Sequence, residues 1–127
     1  MIAVDTSALL EILLRRPQLE ACIDALSRHS DALISAGTLT ETYIVAGQRS
    51  LAPELASLIG RIDLQVVPVT EATAERIGQI YATWGKGIHP ASLNFGDCFA
   101  YDLAKQHACP LLFVGNDFSQ TDIKSAL

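Results

Sequence analysis

Four short apolar runs, Ile2-Ala3-Val4, Ala32 to Ser35, Gln65 to Val69 and Leu111 to Val114, alternate with longer segments of helical spacing, and this alternation constrains the fold more than any other feature of the chain. Thr6-Ser7 offers a helix start before Leu9, Leu10, Leu13 and Leu14. Pro17 stops that helix and suits the first turn of the next, in which Leu19, Cys22, Ile23 and Leu26 recur up to Arg28. Helices are expected from Ala36 to about Gln48, from about Pro53 to Ile62, from a Thr70 cap through Ala74, Ile77, Ile80 and Tyr81, and from Asn94 to His107. Strands joined through helices require right-handed crossovers, so the expected architecture is α/β: a three-layer α/β/α sandwich with a central, mostly parallel sheet. Leu111 to Val114, bounded by Gly115, suits a strand buried on both faces.

The 127 residues, half of them hydrophobic, suffice for one unit spanning residues 1–127 and leave no room for a second core. No linker, repeat or low-complexity stretch divides them. Charges at Asp5, Glu11 and Arg15 break the apolar stretches well short of the ~18 residues a membrane span needs. Met1 leads into an apolar run halted by Asp5 rather than into a basic leader, and a cytoplasmic protein is expected. Cys22, Cys98 and Cys109 show no CxxC spacing and read as reduced, buried thiols. The formal charge of −5 argues against a nucleic-acid partner, unless several acids are gathered to hold cations that invert the local potential.

The acids are placed in a way that allows this. Asp5 follows the first strand, Asp97 lies near the start of the last long helix, and Asp117 follows the last strand. In a parallel sheet, functional side chains collect at the carboxyl edge, where strand ends meet helix starts. Glu41 falls in the first turns of the helix after the second strand, on a stripe with Ile44, Val45 and Gln48, and is expected to face inward. Taken singly, each has an ordinary explanation: Asp5 and Asp97 as helix-terminal acids, Asp117 as a turn residue, Glu41 as a surface acid. Together, carboxylates that close would repel one another unless a divalent cation neutralised them, and hard oxygen ligands select Mg²⁺ or Mn²⁺. Such a centre suits phosphodiester hydrolysis.

The segments Val4-Asp5-Thr6-Ser7-Ala8-Leu9, Thr38-Leu39-Thr40-Glu41, Leu93-Asn94-Phe95-Gly96-Asp97-Cys98-Phe99-Ala100-Tyr101 and Leu112 to Ile123 resemble the signature blocks of the PIN-domain family, specifically its VapC-like toxins. The resemblance runs over almost the whole chain, and its third and fourth blocks are the specific ones. It implies a pocket of Asp5, Glu41, Asp97 and Asp117 that binds one or two Mg²⁺ or Mn²⁺ ions and cleaves single-stranded or looped RNA. Because the last block carries both Asp117 and Asp122, either or both can supply the fourth ligand. Asp5, Asp97 and Asp117 would hold the principal ion, and Glu41 would orient or deprotonate the attacking water. The resemblance also implies a small antitoxin that docks on the toxin and places a basic side chain at the pocket. Leu9, Leu10, Leu13 and Leu14 point to an antitoxin groove or a homodimer, though core packing explains them as readily.

Other residues are less decided. Thr6 or Ser7 either orients a ligand or simply caps a helix, and Asn116 is either beside the pocket or a turn former. Arg15, Arg16, Arg49, Lys86, His89 and Lys124 are candidates for RNA phosphates. His29, His89 and His107 show no spacing for an acid–base pair and read as surface or capping residues. Asp102, about 140° around the helix from Asp97, should point away from the pocket, whereas Tyr101 should lie beside Asp97. No P-loop, G-x-G-x-x-G, H-E-x-x-H or G-x-S-x-G is present. The rival readings are a catalytically silent binding module of the same fold and a Mg²⁺-dependent phosphoacceptor domain. The second lacks a phosphoacceptor aspartate ending a central strand with a lysine ending a later one.

Overall fold

The computed structural model describes residues 1–127. Four strands, β1 (Ile2–Val4), β2 (Ala32–Ser35), β3 (Gln65–Val67) and β4 (Leu111–Leu112), form one sheet in the order β3-β2-β1-β4. Every pairing is parallel. Six helices connect them: α1 (Thr6–Leu13), α2 (Leu19–Ser27), α3 (Ala36–Gln48), α4 (Ala52–Arg61), α5 (Glu71–Trp84) and α6 (Phe95–Gln106).

Alternation along the strands sorts the core into two layers. Ile2, Val4, Ala32, Ile34 and Leu112 pack toward Ala8, Leu9, Cys22, Ala25, Leu55 and Leu58 of α1, α2 and α4. Ala3, Leu33, Leu111 and Phe113 face Ile77, Ala100, Leu103 and Ala104 of α5 and α6. This is the expected α/β/α arrangement. β3 stops two residues earlier than expected, because Pro68 has no N–H for the ladder. β4 is also shorter than the apolar run: the Val114 N–H leaves the ladder for the Ser7 hydroxyl at 3.0 Å.

The strand order reverses at β1. From there the chain moves outward through β2 to β3, then returns on the other side as β4. The carboxyl ends of β1 and β4 therefore flank a switch point, the crevice where ligands bind in open α/β sheets. No helix is long and apolar enough to cross a membrane.

Candidate active site

Asp5 enters this crevice directly from β1. It is the N-cap of α1, and its Oδ2 accepts from the Ser7 N–H at 3.1 Å and the Ser7 hydroxyl at 2.6 Å. Ser7 Oγ in turn accepts from the Val114 N–H, so one hydroxyl ties the end of β1 to the segment after β4 that carries Asp117. Thr6 faces the other way: its hydroxyl donates to Glu41 Oε1 at 2.8 Å and lies 2.9 Å from the Thr42 hydroxyl, which donates to the Thr38 carbonyl. The cap of α1 is thus Asp5 rather than Thr6 or Ser7, and the dipeptide that follows it opens the helix and fixes two carboxylates.

Asp97 is delivered by the start of α6. A reciprocal capping box holds it: Oδ2 accepts from the Asn94 N–H at 3.0 Å, and the Asp97 N–H donates to Asn94 Oδ1 at 2.9 Å. Gly96 lets α6 approach α3 closely, since a Cβ at that position would collide with the Glu41 carboxylate.

Asp5 and Asp97 each lie within electrostatic reach of Glu41 and Asp117, and of one another. Burial raises the Asp97 carboxyl to about 7, helped by repulsion from Asp5, Asp117 and Glu41 and opposed by its bond to Asn94. Burial likewise raises Asp5, with Glu41 and Asp117 adding to the rise and the two bonds from Ser7 opposing it. No basic side chain relieves this repulsion. The ion pairs of the chain are Arg28–Asp24, Arg76–Asp102 and Lys105–Asp122, and none involves the four acids. Asp5, Glu41 and Asp97 are each turned toward a hydrogen-bond donor of their own, and no three of these groups already stand as ligands around one point. Hard oxygen donors crowded without a counter-charge are nonetheless the donor set that a divalent cation stabilises.

Asp122 stands apart from this group. It accepts from the Tyr101 hydroxyl at 2.6 Å and the Lys105 ammonium at 2.8 Å, and these bonds hold its carboxyl below the usual range. Tyr101 is thereby engaged with Asp122 instead of Asp97. The inward stripe of α3 also differs from the expected one. Thr38, Thr42 and Ala46 are buried, whereas Ile44 and Gln48 are exposed and Glu41 is half-buried at the margin. Small polar residues can line a core when their hydroxyls find backbone or side-chain partners, and hydrophobicity alone does not reveal them. Asp102 does point away, into a bidentate pair with Arg76 of α5 at 2.7 and 3.0 Å.

Among the basic candidates, Arg15, Arg16 and Arg49 follow the far ends of α1 and α3, helices that start at the crevice. Lys124 lies beside the beginning of β4, where its carbonyl accepts from the Leu111 N–H. These four therefore sit toward the opposite edge of the sheet, while Lys86 and His89 lie in the loop leading to α6. His29 bonds the Ala25 carbonyl, His89 accepts from the Ala91 N–H, and His107 caps α6. Cys22 and Cys98 are free and buried, and burial pushes both thiols up to about 11; Cys109 is free and half-buried. Sequence reading missed the dual role of Ser7, the bond from Thr6 to Glu41 and the Arg76–Asp102 pair, all of which depend on tertiary neighbours.

A parallel sheet that gathers carboxylates at its switch point is the arrangement of the PIN domain, and the PIN-domain model matches residues 2–124. The chain belongs to the PIN-domain family, among its VapC-like ribonucleases: ribonuclease VapC28 of Mycobacterium tuberculosis is 41% identical over 128 residues, covering 98% of this chain and 96% of that protein. The crystal structure of Mycobacterium tuberculosis VapC20, a sarcin-ricin loop cleaving toxin, has a TM-score of 0.76 at 18% identity, covering 97% of this chain and 96% of that one. A toxin–antitoxin complex from Klebsiella pneumoniae gives 0.73 at 17% identity, covering 96% and 93%. At such identities the likeness carries the fold alone.

Proposed function

We propose that the chain is a Mg²⁺- or Mn²⁺-dependent endoribonuclease, the toxin of a toxin–antitoxin pair, with Asp5, Glu41, Asp97 and Asp117 as its catalytic residues. The observation that carries this reading is the mutual crowding of those four carboxylates at the switch point without a basic partner. The name of VapC28 as a ribonuclease, together with its identity over nearly the whole chain, supports RNA as the substrate. Residues 1–127 act as one nuclease unit, and a ribonuclease toxin meets its substrate in the cytoplasm.

Asp5, Asp97 and Asp117 hold the principal ion, and Asp122 is left to its bonds with Tyr101 and Lys105. When bound by these carboxylates, a divalent cation would supply charge neutralisation at the scissile phosphate and acidify a nearby water. Glu41, its Oε1 steadied by the Thr6 hydroxyl, orients the attacking water and accepts its proton. Asn94 keeps Asp97 turned into the crevice, and Ser7 does the same for Asp5. Attack by water, rather than by the ribose 2′-hydroxyl, leaves a 5′-phosphate and a 3′-hydroxyl.

The antitoxin is assigned to a groove of about 410 Å³ between α1, α2 and α4, lined by Ile12, Ile23, Leu26, Leu58 and Ile62 with Arg61 at its side. Leu9 of the leucine-rich first helix is wholly in the core, so Ile12 presents that helix to the groove. An amphipathic segment fits such a trough, and a basic side chain reaching the acids would displace the metal. A homodimer then has to use a different face.

Incubating the protein with end-labelled RNA, with and without Mn²⁺, tests the reading. Cleavage that requires the metal, leaves 5′-phosphates and is lost in Asp97→Asn is expected. Cleavage insensitive to chelator, or equal in the variant, would refute it.

A further inference from the structure

Phe95, the first residue of α6, leaves 71% of its surface in solvent, two residues before the buried Asp97. Its ring meets that of Phe99 edge to face, with centroids 5.0 Å apart and planes at 89°. Phe99 is itself seated on α3 over Gly37, where an added Cβ would come within 2.6 Å of the Phe99 Cγ. Between Phe95 and Asp97, Gly96 touches the Glu41 carboxylate. The outer ring is thus propped on a fixed inner one, on the side of α6 that faces α3 and the Glu41 carboxylate.

Electrostatics there is unfavourable for RNA. Four acids stand in the crevice, the chain carries a formal charge of −5, and Arg15, Arg16, Arg49 and Lys124 lie toward the opposite edge of the sheet. With Lys86 and His89, in the loop leading to α6, the only basic candidates on this side, a strand needs contacts that do not depend on charge. Stacking of bases on aromatic rings is such a contact, and it favours unpaired nucleotides, whose faces are free.

We propose that Phe95 is the base-stacking platform of this ribonuclease, holding the unpaired nucleobase that adjoins the scissile phosphate and so helping to determine which RNA is cut. The assignment rests on the ribonuclease reading above. A phosphate drawn between the carboxylates brings its neighbouring base within one nucleotide of them, and Phe95 presents an open aromatic face there. Phe95 binds and selects; it takes no part in proton transfer.

The test measures Mn²⁺-dependent cleavage of a single-stranded RNA oligonucleotide by wild type, Phe95→Ala and Phe95→Trp. Stacking energies correspond to a KM about tenfold higher in Phe95→Ala, with kcat changed much less and Phe95→Trp close to wild type. The same oligonucleotide with an abasic residue beside the cleavage site should bring wild type and Phe95→Ala to the same KM. Because the ring is exposed, both variants should melt like the wild type. If wild type cleaves and Phe95→Ala has an unchanged KM, the platform is overturned while the ribonuclease reading stands. If Phe95→Ala instead converts a sedimenting dimer to monomer at unchanged KM, the ring belongs to a contact between copies and the platform is equally overturned. A wild type that leaves RNA intact with Mn²⁺ overturns the ribonuclease reading itself.

Discussion

Ser7 donates to Asp5 and accepts from the Val114 N–H through one hydroxyl, so the side chain fixes one carboxylate while holding the strand end that leads to another. Ser7→Ala leaves that N–H without its acceptor and removes the shorter of the two bonds that hold Asp5. A loss of about 1–2 kcal/mol in chemical denaturation is predicted, together with weaker Mn²⁺ binding. Asp97 makes a prediction of a different kind. Its carboxyl is raised from 3.8 to about 7, so between those values the folded protein binds more protons than the unfolded chain. Stability must then fall as pH rises through that window. In chelator, melting temperatures should show this decline between about pH 4 and about pH 7, and Asp97→Asn should lessen it. An equal slope in wild type and variant would mean that Asp97 is not held in its neutral form by burial.

At the scale of elements, the close approach of α3 and α6 is set by glycines. Gly96→Ala would gain helix propensity of up to about 1 kcal/mol but drive a methyl group into the Glu41 carboxylate. Cleavage should therefore drop sharply while the melting temperature hardly moves, a separation that activity assays and melting curves can detect together. The element pattern was largely legible because β1, β2 and β4 are apolar and the helices keep their spacing. Boundaries were less so: Pro68 ends β3 early, and Ser7 draws Val114 out of β4. Asp5 and Asp97 could be placed from strand ends and helix starts alone. Choosing between Asp117 and Asp122 could not, since the partners of Asp122, Tyr101 and Lys105, are recruited from α6. The buried side of α3 was misread because Thr42 hides its hydroxyl by bonding to Thr6 and the Thr38 carbonyl, and Thr38 is buried beside it with its own hydroxyl unpartnered, while Ile44 is left outside.

Across the whole molecule, the crevice and the apolar groove occupy separate places, one at the carboxyl edge of the sheet and the other between α1, α2 and α4. Ile23→Glu, a change on an exposed wall of the groove, should abolish binding of the proposed antitoxin and leave RNA cleavage as in wild type. Loss of cleavage with capture intact would contradict that division. The acidic crevice itself is tested most directly by calorimetric titration of the metal-free protein with Mn²⁺, comparing wild type with Asp5→Asn and Asp97→Asn. Saturable binding by the wild type, accompanied by a higher melting temperature and lost in both variants, is the predicted result; equal binding by all three proteins, or none by the wild type, would contradict it.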